Sequence, residues 1–207
     1  MALVKYNNNS ISAVTAATGL ANGAMTHIKT LTASSSATLS FVDGTDSVVL
    51  DSTYPIYVFK FINMHPSASN SYFGFNISID SGSNYNVAKT TTYFQAYHFE
   101  AENLDGLGYN ASRDLAQGTG FQDISTTMTT NDDLSLSGSL DLFNPSSTTF
   151  VKHFIARTNQ MTDNPASNDS NLAGYGNTTS AVDAIQFKFN TGNIDTGKIK
   201  LYGIKDS

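Results

Sequence analysis

Ser, Thr and Asn supply 69 of the 207 residues, while glutamate occurs only at Glu100 and Glu102. This imbalance restricts the fold more than any motif does. Ser, Asn and Asp side chains compete with a helix for its backbone hydrogen bonds, and Thr loses rotamers there, whereas Thr, Phe, Tyr, Val and Ile sit well on a pleated surface. The composition therefore predicts an all-β protein with minimal helix. At 40% hydrophobic and 11% aromatic residues the chain has enough apolar volume for a core.

The strands are predicted from alternation. Ile28–Ala33 and Ala37–Val42 flank Ser34, Ser35 and Ser36 and read as a hairpin, and Asp43-Gly44 breaks the pattern before a strand at Ser47–Leu50. Pro55–Met64 is the most apolar run. It carries Tyr57, Phe59 and Phe61 on one face and Ile56, Val58, Ile62 and Met64 mostly on the other, which predicts a central strand covered on both faces. In Tyr72–Ile79, Phe73, Phe75, Ile77 and Ile79 alternate with Tyr72, Gly74, Asn76 and Ser78, the pattern of a strand with one wet face. Thr91–Phe99, Leu134–Leu142 and Phe150–Ala156 repeat the period of two. Ala184–Phe189 and Lys198–Ile204 read as a pair, with Lys188, Lys198 and Lys200 on a solvated face that protects an edge.

About eight to eleven short antiparallel strands require two packed sheets, so the expected fold is an antiparallel β-sandwich, jelly-roll-like. It is placed at residues 26–207, behind an extended N-terminal arm at 1–25 that carries no compact apolar run of the secretory kind. No internal period or composition shift divides the chain further. No apolar stretch has a membrane-spanning length, so no membrane insertion is expected. A net charge of -6 and 11 dispersed Lys and Arg residues argue against nucleic acid as a partner.

Two polar segments, Glu100 to Gln122 and Thr158 to Thr179, read as long loops, and loops of that length commonly bind something. Tyr109, Phe121, Leu172 and Tyr175 are their candidate contact residues for a partner or a glycan. Exposed tyrosines at loop tips, Tyr85, Tyr109 and Tyr175 among them, keep a carbohydrate-binding module open as a reading.

The chemistry of catalysis is hard to assemble from this sequence. The absence of Cys removes thiol nucleophiles, disulfides and Cys-built metal sites. His27, His65, His98 and His153 stand far apart, and no nucleophile elbow or phosphate-cradling glycine loop occurs. Asp43, Asp46 and Asp51, with Asp132 and Asp133, are explained by turns without a calcium ion. The expectation is a non-enzyme with no cofactor, no metal site and no catalytic residue.

Three segments carry a resemblance. Ile28 to Gly44 with Tyr57 to Pro66, Ser147 to Ile155, and Ile185 to Ile204 with its ending Leu-Tyr-Gly-Ile resemble virion structural proteins of marine tailed bacteriophages. The likeness covers about half of the chain and nearly all its strands, and the long polar loops depart from it. It implies a tail- or fibre-associated component, made in the host cytoplasm and built into the virion. Its implied partners are other virion proteins, further copies of itself as a homo-oligomer (a trimer by analogy with appendages) and a host-surface glycan. A capsid decoration or head-knob protein is the structural alternative, and a carbohydrate-binding module the alternative of another class.

Overall fold

A computed structural model describes residues 24–206. Twelve strands lie among them: β1 (Met25–Thr32), β2 (Leu39–Val42), β3 (Ile56–Pro66), β4 (Phe73–Ser78), β5 (Lys89–Phe99), β6 (Asp105–Tyr109), β7 (Gln122–Asp123), β8 (Leu136–Phe143), β9 (Lys152–Met161), β10 (Ala166–Gly176), β11 (Ala184–Phe189) and β12 (Ile194–Ile204). They form two sheets, ordered β1-β12-β3-β8-β9-β10-β5-β6 and β2-β11-β4-β7, with the paired strands antiparallel. This is the β-sandwich expected from the composition, with its strands divided eight and four. The expected arm at 1–25 lies outside the described residues except for Ala24 and Met25, and Met25 already opens β1.

Aromatic rings seal the interior. Phe187 of β11 is the hub, with ring centroids 5.4 Å from Phe59, 5.2 Å from Phe61, 6.3 Å from Phe41 and 6.0 Å from Phe73. Phe75 meets Phe154 edge to face at 5.0 Å. These pairs are geometries that aromatic quadrupoles favour, and they join the small sheet to β3 and β9 of the large one. Leu134, Leu136, Leu140 and Leu142 are buried as their alternation predicts.

Several local expectations are corrected. β1 and β2 are not a hairpin: β1 pairs with β12 in the large sheet and β2 with β11 in the small one. Ser47–Leu50 forms no strand, although Val48 and Leu50 are buried. β11 and β12 also lie in different sheets, each with neighbours on both sides, so Lys188, Lys198 and Lys200 guard no edge. Alternation locates a strand but does not say which sheet receives it.

β3 is an interior strand, yet its outer face is open at Lys60 and Ile62. Asn63 adopts φ +50° and shifts the register, so that Met64 turns into the core. β4, expected to have a wet face, is buried at every position. Segments after β4 and before β7 cover it: Asn76 donates through Nδ2 to the carbonyls of Tyr85 (2.6 Å) and Thr119 (2.9 Å), and Lys89 donates to Asn76 Oδ1 (2.5 Å). Gly74 is needed there because a Cβ would meet the Gln122 carbonyl oxygen at 2.7 Å.

The two predicted loops contain strands. Thr158 to Thr179 is largely the end of β9 and the whole of β10, and Glu100 to Gln122 contains β6. β10 reads as a loop because two of its inward residues are Asn168 and Ser170, linked by a ladder in which Tyr93 donates to Ser170 (2.6 Å) and Ser170 to Asn168 Oδ1 (3.2 Å).

Candidate interaction surface

The large sheet has twice the strands of the small one, and its outer face carries no further layer among the described residues. The period of two decides what stands there. On β5 the inward set begins Lys89, Thr91 and Tyr93, so Thr92, Phe94, Ala96 and His98 face outward. Register then sets their neighbours. Phe94 lies opposite Tyr109 of β6, Ala96 opposite Leu107, Ala173 of β10 opposite Thr92 and Ile155, and Tyr175 opposite His153. At the other end Ile56 stands between Phe143 and Ile204, Ile204 beside Met25, and Val58 beside Tyr202.

The result is an apolar band running across the sheet. Nine large apolar side chains remain exposed among the described residues, and six of them (Met25, Ile62, Phe94, Leu107, Tyr109 and Ile155) are on this face. Leu107 is 74% exposed, Tyr109 57%, Ile155 53% and Phe94 45%. Single apolar residues need no explanation, but six large ones exposed on one sheet face mark a surface suited to a partner. A depression of about 470 Å³ between Thr92, Phe143, His153, Ile155, Ala173 and Tyr175 gives it relief.

Charges lie beside and within the band, with Asp141 opposite Val58 and Ile155 and Asp169 opposite Ala96. Lys60, Lys198, Lys200 and Arg157 stand on this face with Asp105, Asp141 and Asp169, four cations against three carboxylates on a chain whose net charge is -6. Arg157 grips Asp169 through Nε (2.9 Å) and Nη2 (2.8 Å), which holds the carboxyl below its ordinary pKa. Asp141 is shifted up by partial burial, with the Lys60 charge opposing that shift. Lys198 and Lys200 form no ion pair among the described residues, so this face offers free cationic groups as well as apolar ones.

Of the sequence-predicted contact residues, the structure brings Tyr109 and Tyr175 to this face. Tyr109 donates its hydroxyl to Asp114, and that bond to a carboxylate raises the Tyr109 pKa. Phe121 is elsewhere, with the Lys188 amine 4.3 Å from its ring centroid on the outer side of the small sheet. Leu172 is corrected outright: it is 3% exposed and packs in the core, because it occupies an inward position of β10 rather than a loop. Phe94, Leu107, Ile155 and Ala173 were missed. Thr91–Phe99 is apolar or aromatic on both parities, at Tyr93, Tyr97 and Phe99 and also at Phe94 and Ala96, and that doubled pattern was the available signal.

No catalytic grouping accompanies the band. His27, His65, His98 and His153 sit on four different strands, and the only His–carboxylate approach among the described residues is His65 Nδ1 to Asp195 at 4.0 Å. Among the described residues no three His, Asp or Glu side chains gather as metal ligands would. Asp43 and Asp51 cap turns, accepting from the amides of Leu50 (2.8 Å) and Thr53 (2.7 Å). No protein-family model, curated protein or solved structure matches the chain.

Proposed function

We propose that the protein is a non-enzymatic structural component of a bacteriophage virion, part of a tail appendage or fibre, and that it assembles through the outer face of its large sheet with copies of itself. The observation that carries the assembly is the exposed band of Phe94, Leu107, Tyr109 and Ile155. Covering it removes apolar surface from water at about 25 cal/mol per Å², and a stable interface takes about 800 Å² from each partner, which is within reach of an eight-stranded face. The virion context is supported by the resemblance of residues 28–44, 57–66, 147–155 and 185–204, which supply β1, β2, β3, β11 and β12, so that the likeness falls on framework strands.

Sedimentation and native mass spectrometry on the full chain test the assembly. The wild type is expected to be oligomeric at micromolar concentration, and Leu107→Lys with Ile155→Lys to be monomeric with an unchanged melting temperature. A monomeric wild type, or a double variant that still assembles, removes the proposed interface. Quantitative proteomics of purified particles tests the virion role: a few to a few tens of copies are expected, hundreds would instead indicate a capsid decoration protein, and absence would end the reading.

A further inference from the structure

The inner face of the large sheet extends past the small sheet that covers it. On β5 the inward residues are buried at Lys89, Thr91 and Tyr93 but only partly covered at Gln95, Tyr97 and Phe99. Beside them on β10 lie Ala166 and Asn168. Thr126, Thr127 and Thr129, the Thr162–Asn164 turn and Leu104 wall the gap, leaving an open groove of about 470 Å³. It lies on the opposite face of the sheet from the apolar band and is independent of that reading.

We propose that this groove binds a neutral saccharide of one or two pyranose rings. Two kinds of group converge in it. Tyr97 and Phe99 are aromatic walls, 6.0 Å apart between centroids and nearly perpendicular at 89°, and such faces pack on the C–H face of a sugar ring. Tyr97 is set in place by the glycine opposite it, since a Cβ on Gly106 would meet the Tyr97 hydroxyl at 2.8 Å and its ring at 2.9 Å.

Polar groups with spare bonding capacity stand around these rings. Asn168 is 5% exposed as a residue; its Oδ1 accepts from Ser170, and its Nδ2 makes no hydrogen bond to protein among the described residues. The Nδ2 atom reaches the solvent of the groove and is a donor that a ligand hydroxyl can take over from water, while the buried hydroxyls of Thr126 and Thr129 in the same lining have no partner among the described residues. Gln95 accepts at Oε1 from Asn110 (3.3 Å) and has its own amide hydrogens to give. Asp163 receives Asn131 at one carboxylate oxygen (2.6 Å) and presents the other. Amide donors and a carboxylate acceptor around aromatic rings match the paired donor and acceptor character of vicinal hydroxyls.

The lining also limits the ligand. It contains no Lys, Arg or His, so nothing there neutralises a sulfate, phosphate or sugar acid. Asp163 is its single carboxyl group, whereas glycoside cleavage takes a flanking pair, so the groove holds a sugar without hydrolysing it.

The test uses the full chain on an array of neutral and anionic glycans, followed by titration calorimetry with the best neutral binder. Binding to a neutral saccharide is expected. Tyr97→Ala and Asn168→Asp are each expected to weaken it about tenfold or more, the latter by turning the open donor into an acceptor. Asp163→Ala, at an exposed position, gives a third reading if either variant melts at a lower temperature. Tyr109→Ala, on the other face, is expected to leave affinity unchanged. No binding, binding confined to anionic glycans, or a loss that follows Tyr109 and not Tyr97, Asn168 and Asp163, overturns the assignment.

Discussion

At the residue scale, two fully buried lysines stand without carboxylate partners. Lys89 donates to Asn76 Oδ1 and to the Val87 carbonyl (2.8 Å), and burial alone pushes its pKa down to about 7. Lys152 donates to the Phe150 carbonyl (2.7 Å) and is shifted down for the same reason. In the unfolded chain Lys89 keeps its proton to an ordinary pKa near 10.5. Between pH 7 and 10 the unfolded state therefore binds more protons, and stability rises with pH by up to about 1.4 kcal/mol per unit for one such group. Above pH 10 the sign reverses, because burial holds the Tyr93 hydroxyl protonated up to about 12 and the unfolded chain loses that proton first. Urea midpoints at pH 7, 8.5 and 10 should increase in the wild type and increase less in Lys89→Met. A flat or falling wild-type profile would show that the amine reaches water.

At the scale of the element, β3 and β11 hold the two layers together. Phe187 touches rings from both sheets, so Phe187→Ala is expected to cost about 3–5 kcal/mol, read as a lower denaturant midpoint with an unchanged m-value. In β3, Asn63 supplies the left-handed turn of backbone that sends Met64 inward, and its amide donates to Ser137 Oγ (3.1 Å). Asn63→Gly should be tolerated, while Asn63→Val, β-branched at φ +50°, should destabilise by about 1–3 kcal/mol in the same assay.

Which strands exist was largely legible from alternation at β3, β4, β5, β8 and β9. Their partners were not, because pairing depends on contacts between residues such as Met25 and Ile204 that no local pattern links. β10 was hidden by a polar interior, where Tyr93, Ser170 and Asn168 exchange hydrogen bonds in place of apolar contacts. Of the interaction face, Tyr109 and Tyr175 were found as supposed loop tips. Phe94 and Ile155 were not, since assigning an exposed face requires knowing which side of the sheet the second layer covers.

At the scale of the whole molecule, the long-range pairing of β12 sets the order of events in synthesis. β12 lies between β1 and β3, so the large sheet is split there until residues 194–204 have left the ribosome. Before that moment β1 has no neighbour and β3 offers a bare row of amides and carbonyls, the kind of template that invites pairing with another nascent chain. Completion of the large sheet thus waits on residues 194–204 and belongs to the slow, non-local class of β topologies. Molecules emerging side by side on one polysome compete with self-closure for the vacant slot.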